Sequence, residues 1–287
     1  MARPLRIEFP GAVYHLTSRG NEQKNVFRDD KDRTIFLDIL ARSCNLFNWL
    51  CHAYCLMGNH YHLIVETVDD TLSRGMRHLN GVYTQKFNWN HHSVGHVFQG
   101  RYKAILIEKE SHLLEACRYV VLNPVRAKLA ADPAQWRWSS YKATSGLEKP
   151  AACLTTAWIL QQFDQKPTSA NKKYREFVQD GINARSIWED LRSQILLGDE
   201  DFVEQFKDIA KGVEALTEIP RDQRFLQRPD LQELFSGIDK DNKRLRKNAV
   251  IEAIEVHGYA QKDVADHLGL HYSTINRILG NKRNQDS

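Results

Sequence analysis

The run Gly58-Asn59-His60-Tyr61-His62-Leu63-Ile64-Val65-Glu66 reads as a strand that follows a Gly-Asn turn. Side chains alternate faces along a strand, so His60 and His62 share one face while Tyr61 and Leu63 take the other. Two imidazoles on one face, a residue apart, are placed to grip a single cation. Alone, the pair reads more readily as two polar residues on a solvent-facing strand. A second feature narrows the choice. Winding residues 113–123 as a helix at about 100° per residue, with Cys117 as origin, puts Leu113, Leu114, Val120 and Val121 within about 60° of it, as one apolar stripe. Tyr119 falls at about 200° and Asn123 at about 240°, one turn apart on the far side. A phenol and a carboxamide thus share a face that the helix does not need for packing on its sheet.

Together these groups suggest one reaction. A phenol with a pKa of about 10 is a weak nucleophile at neutral pH. It attacks a phosphodiester when a metal polarises the phosphate and offsets developing charge. His60, His62 and the Asn123 oxygen form a mixed N/O set with open positions, which suits Mg²⁺ or Mn²⁺ better than a closed structural zinc site. A covalent phosphotyrosine conserves the energy of the broken bond, so rejoining needs no ATP. A zinc site built from Cys51, Cys55 and the same histidines is disfavoured, because strand alternation sets the two thiols about 13 Å apart. His91, His92 and His96 read as a polar loop ahead of Phe98.

The elements that must hold these groups alternate through the first 150 residues. Strands are expected at Val13–Ser18, Leu50–Met57, His60–Thr67 and Tyr102–Glu108. Helices are expected at Asp30–Phe47 and Leu72–Trp89, and at Leu113–Leu122, where Pro124 is expected to end the helix. The fold class is α+β: an antiparallel sheet with flanking helices, followed by an all-α C-terminal region. Beyond residue 145 only helical stretches are expected. Glu148-Lys149-Pro150 and Lys166-Pro167-Thr168-Ser169 read as linkers or loops, and Phe202, Phe206, Ile209, Val213 and Leu216 read as a core-facing stripe. From Gln261 the order Val264-Ala265, Leu268-Gly269-Leu270, Ile275 and Ile278 has helix-turn-helix spacing. The second helix then presents Tyr272, Ser273, Thr274, Asn276 and Arg277 outward, with Lys282 and Arg283 suited to phosphates.

The 287 residues are 42% hydrophobic and 26% charged, which excludes a disordered or fibrous chain. No apolar run approaches the roughly 20 residues that span a bilayer, and the N-terminus lacks a signal-peptide core, so a cytoplasmic protein without a membrane partner is expected. Five cysteines do not read as a disulfide framework. The net charge of +4 conceals a division: residues 1–150 carry 20 Lys and Arg against 14 Asp and Glu, residues 151–239 carry 11 against 16, and residues 240–287 carry 9 against 6. Two basic ends around an acidic middle suggest two surfaces for a polyanion. The expected domains are residues 1–147, catalytic; 148–239, an acidic helical connection; and 240–287, a helix-turn-helix module.

His60-Tyr61-His62 resembles the HUH motif of single-strand DNA nucleases, and Arg118-Tyr119-Val120-Val121-Leu122-Asn123-Pro124-Val125-Arg126-Ala127 resembles the nucleophile helix of the REP-associated tyrosine transposases. Tyr14-His15-Leu16-Thr17-Ser18-Arg19-Gly20-Asn21, Phe98-Gln99-Gly100-Arg101-Tyr102-Lys103 and Trp136-Arg137-Trp138-Ser139-Ser140-Tyr141 agree, in order, over roughly residues 5–145. The resemblance implies a ferredoxin-like HUH transposase domain in which His60 and His62, with Asn123 as third ligand, hold a divalent metal. It implies Tyr119 as the nucleophile, giving a 5′-phosphotyrosine and a free 3′-OH. The implied substrates are single-stranded repetitive extragenic palindromes that fold into hairpins, in a bacterial, nucleoid-associated setting. Arg19, Asn21, Arg101 and Lys103 are assigned to strand contacts. The C-terminal segment resembles the helix-turn-helix of the replication initiator DnaA, implying a duplex-binding accessory with Ser273, Thr274, Asn276 and Arg277 at the DNA. Both a monomer and a homodimer are compatible with this reading. The alternatives are a non-catalytic, sequence-specific regulator bound to repeat elements, and a zinc hydrolase without a covalent intermediate.

Overall fold

The computed structural model describes residues 7–185, 187–191, 195–206, 229–238 and 242–283. The chain divides into two units. One comprises residues 6–191 and 195–199; the other holds residues 200–287 with two short upstream pieces.

The first unit is a five-stranded sheet in the order β2-β3-β1-β4-β5: β1 is Ala12–Arg19, β2 Trp49–Leu56, β3 His60–Thr67, β4 Lys103–Ile107 and β5 Leu196–Leu197. The first four strands pair antiparallel. β5 pairs parallel to β4, Leu106 opposite Leu196, so a strand arises where only helices are expected. Two buried leucines are too short a run to carry a period-2 signal.

Helices α1 (Asp30–Phe47) and α2 (Leu72–Asn90) cover one face and α3 (Lys109–Arg126) the other. The Asp29 side chain caps α1 by accepting from Asp32 N, and Asn48 at its end takes a left-handed conformation. Tyr61 explains why an aromatic stands between the two histidines. It points to the α1/α2 face, fully buried against Phe36, and its hydroxyl donates to Asn80 Oδ1 at 2.6 Å and accepts from Ser18 Oγ at 3.1 Å. Tyr61→Phe strips Asn80 Oδ1 of its donor and Ser18 Oγ of its acceptor, although Asn80 Nδ2 still reaches Ser18 Oγ. The expected cost is about 1–2 kcal/mol, read as a lower urea midpoint at unchanged slope.

α3 runs through Pro124 rather than stopping before it. Proline has no N–H for the Val120 carbonyl, and Asn123 Nδ2 supplies donors instead, to Tyr119 O at 3.0 Å and Val120 O at 3.4 Å. The expected stripe is buried: Leu113, Cys117, Val120 and Val121 pack with Val13, Cys55 and Ile64 of the sheet. The expected boundary after residue 147 falls inside this unit. Helices α4 (Ala157–Gln161) and α5 (Pro167–Asp180) add Ile159, Tyr174 and Val178 to the same core, and the supposed loop proline Pro167 opens α5. A register shift between Cys51 and Ala53 leaves Cys51 opposite Val65 and Cys55 opposite His62, on opposite faces of the sheet. That removes the zinc alternative more firmly than distance does.

In the second unit, α6 (Lys243–Glu255), α7 (Gln261–Leu268) and α8 (Tyr272–Arg283) pack around Val250, Ala253, Val264, Ala265 and Ile275. Ala265 is the small buried residue that lets α8 approach α7, and Gly269, at φ +63°, makes the turn between them. Ile209, Val213 and Leu216 of the expected stripe lie outside the described residues, as do the side chains of Lys282 and Arg283. No described helix is long and apolar enough to cross a membrane.

Candidate active site

β3 turns His60, His62, Ile64 and Glu66 toward α3, and β1 lays Arg19 beside His60 and Thr17 beside His62. The two imidazoles lie with ring centroids 4.9 Å apart. His60 Nδ1 donates to Asn59 Oδ1 at 2.7 Å, an acceptor whose orientation is fixed because Asn59 Nδ2 donates to Gln23 O. That leaves the lone pair of His60 on Nε2. His62 Nδ1 meets His15 Nε2 at 2.9 Å, the two rings parallel within 1°. His62 Nε2 is buried and has no hydrogen-bond partner among the described residues, nor has His15 Nδ1.

Burial, then His15 and His60, hold His62 well below the usual imidazole range. Burial takes His15 down to about 3. Burial, then Arg19, lowers His60. All three rings are therefore neutral at pH 7. His60 thus presents its Nε2 lone pair, and His62 presents one too in the tautomer that donates from Nδ1 to His15. This is how a metal-ligating histidine is ordinarily oriented.

α3 brings Tyr119 to this pair. Its ring centroid is 6.4 Å from His62 and 6.3 Å from His15, each edge-on. Asn123 follows one turn later, and its tied Nδ2 leaves Oδ1 as the free atom. Two further side chains enclose the phenol. Trp188 stacks on His15 at 4.6 Å and meets Tyr119 edge-on at 5.1 Å. The Arg126 guanidinium lies 4.7 Å from the Tyr119 ring centroid.

Among the assigned strand contacts, Arg19 and Lys103 are exposed on the imidazole face, Lys103 being opposite Thr17 on β4. Asn21 and Arg101 are exposed on neighbouring turns; Asn21 N bonds Val97 O. In the second unit, Ser273, Asn276 and Arg277 are exposed on α8, while Thr274 is half-buried.

Three residues near the site had been given no role from the sequence. His15 carried a signal, since it lies on the imidazole face of the adjoining strand. Arg126 carried one too, two turns beyond Tyr119 on α3. Trp188 carried none: it sits in the acidic middle, and only tertiary packing brings it here. Among the described residues, one His/Asp group also has ligand spacing: Asp29, Asp32 and His91 place one atom each within 4.8 Å of one another. There Asp32 already accepts from His91 Nε2 and Arg28 N, and Asp29 from Asp32 N, so the group clasps the start of α1.

Residues 9–123 match the family model Y1_Tnp, described as "Transposase IS200 like". No curated protein matches the chain significantly. Among solved structures, one of a REP-associated tyrosine transposase bound to a REP hairpin is similar at 14% identity and a TM-score of 0.46, over 54% of this chain and 92% of that one. The matched residues 9–123 hold β1 through most of α3, with His15, His60, His62, Tyr119 and Asn123, and it is this part of the chain that is similar to the IS200-like transposases.

Proposed function

We propose that the chain is a metal-dependent transposase that cuts and rejoins single-stranded, hairpin-forming DNA through Tyr119. The observation that carries this reading is the meeting of a phenol from α3 with two neutral imidazoles from β3. The donor set fits a divalent ion: a buried Nε2 without a partner on His62, an oriented Nε2 on His60, and a free amide oxygen on Asn123. Mg²⁺ or Mn²⁺ held there would polarise the scissile phosphate and offset its charge.

Tyr119 Oη bonds to phosphorus and its proton leaves to solvent. The P–O3′ bond breaks, and the 3′ oxygen keeps the electron pair and takes up a proton. A free 3′-OH of another strand later reverses the step and restores Tyr119. Arg19 and Lys103, exposed on the imidazole face, with Asn21 and Arg101 nearby, guide the strand to the site.

The test is incubation of the purified protein with a hairpin-bearing single strand. An adduct that survives denaturing electrophoresis, appears with Mn²⁺ and disappears with chelator supports the reading. Tight hairpin binding with no adduct under any metal would make the protein a binding regulator instead.

We also assign α7 and α8 to duplex binding as a helix-turn-helix, with Ser273, Thr274, Asn276 and Arg277 at the DNA. Arg277→Ala touches nothing in the core, since Arg277 is exposed. It is expected to weaken duplex binding by about 1–3 kcal/mol in a mobility-shift titration, with adduct formation on the hairpin unchanged. Equal duplex affinity for wild type and variant would remove Arg277 from the interface.

A further inference from the structure

We propose that Arg126 is a catalytic residue of the same reaction, its guanidinium binding the non-bridging oxygens of the phosphate that Tyr119 attacks. The proposal rests on Tyr119 being the nucleophile. Seven residues separate the two on α3, about 700° of helical rotation, so they project from nearly one line of the helix. The guanidinium accordingly sits 4.7 Å from the Tyr119 ring centroid.

What Arg126 lacks is an anion. Among the described residues its guanidinium makes no hydrogen bond and no ion pair. Glu115, whose charge it feels, is paired with Arg118. Burial lowers its pKa, which is the cost of holding a cation partly out of water without a counter-charge. Arg118 shows what a structural arginine looks like on this helix. It bonds Glu115, donates to Phe177 O at 3.2 Å and lies over the Phe177 ring at 4.2 Å. Every polar interaction of Arg118 is spent inside the protein, whereas Arg126 keeps its fork of donors for something that arrives. Beside a phenol that attacks phosphate, the arriving anion is the phosphate itself. A guanidinium matches its oxygens two at a time. Through the step Arg126 neither gains nor loses a proton, and the same contact persists on the phosphotyrosine.

The competing role is a mere backing for the Tyr119 ring, and the test separates the two. Single-turnover adduct formation is measured for the full chain with Mn²⁺ and the hairpin-bearing strand. R126M keeps an unbranched apolar stem against the ring and loses the charge; R126A leaves room for a free ion. We expect R126M to react about 10²–10³-fold more slowly than wild type, with hairpin affinity within twofold and an unchanged melting curve. We expect millimolar guanidinium ion to restore R126A at least tenfold. R126M reacting at the wild-type rate, or R126A indifferent to guanidinium, overturns the proposal. Absence of an adduct from wild type itself would instead sink the strand-transfer reading, and this proposal with it.

Discussion

Tyr119→Phe is expected to bind the hairpin-bearing strand as wild type does and to form no covalent adduct with it. The substitution removes one oxygen and little else. The Tyr119 ring keeps its neighbours His62, His15, Trp188 and Arg126. Its hydroxyl has no hydrogen-bond partner among the described residues, so deleting it orphans no buried group. Stability should therefore move by less than about 0.5 kcal/mol. The rate of adduct formation should fall by at least about 10³-fold, because phenylalanine offers no lone pair to phosphorus. Hairpin affinity is read by anisotropy and the adduct by denaturing electrophoresis of labelled strand. An adduct of wild-type yield from the variant would mean that another side chain attacks, and the convergence of α3 on the imidazole pair would lose its meaning.

How much of this site could be read before folding depends on the range of the interaction. The face-sharing of His60 and His62 follows from strand alternation, and the exclusion of Tyr119 from the Val120–Val121 stripe follows from helical winding. Both are local geometry, and the first is present in the fold; Tyr119, however, is half-buried and packs against the same core as Val120 and Val121, beside His15 and His62 of the sheet. The bounds of α1 and the turn at Gly269 were legible for the same reason. The passage of α3 through Pro124 was not, because the repair comes from a side chain: Asn123 donates to the carbonyls left over. Nor was the fate of the segment beyond residue 147, whose acidic residues suggested a separate element. Its apolar residues Ile159, Tyr174 and Val178 instead complete the core under α3. Trp188 lies further still from any local signal, since its place against His15 exists only once that packing has formed. The bulge at Cys51–Ala53 shows the reverse: an argument from ideal alternation put two thiols on one face, and one extra residue moved them apart.

Replacing His60 and His62 together by alanine should abolish cleavage far more completely than it weakens hairpin binding. The reason lies in how the protein has prepared these rings. Each Nδ1 is engaged, by Asn59 and by His15, and burial keeps the rings neutral, so the Nε2 lone pairs have no use inside the fold. An unused buried acceptor costs stability, and a cation is what offsets it. Wild type is therefore expected to bind one Mn²⁺, read from the loss of the free-ion paramagnetic resonance signal on titration. The double variant should lose that binding and slow adduct formation by at least about 10³-fold. Affinity for the strand should change by less than about threefold, because Arg19 and Lys103, the proposed phosphate contacts on the same face, are left in place. The cluster at the start of α1 is an internal control. His91 Nε2 is committed to Asp32, so His91→Ala should leave both manganese binding and cleavage intact while loosening the clasp. If manganese stayed with the double histidine variant and left with His91→Ala, the ion would belong to Asp29, Asp32 and His91, some other group would have to polarise the phosphate, and Tyr119 would stand beside two imidazoles without a shared ion to explain them.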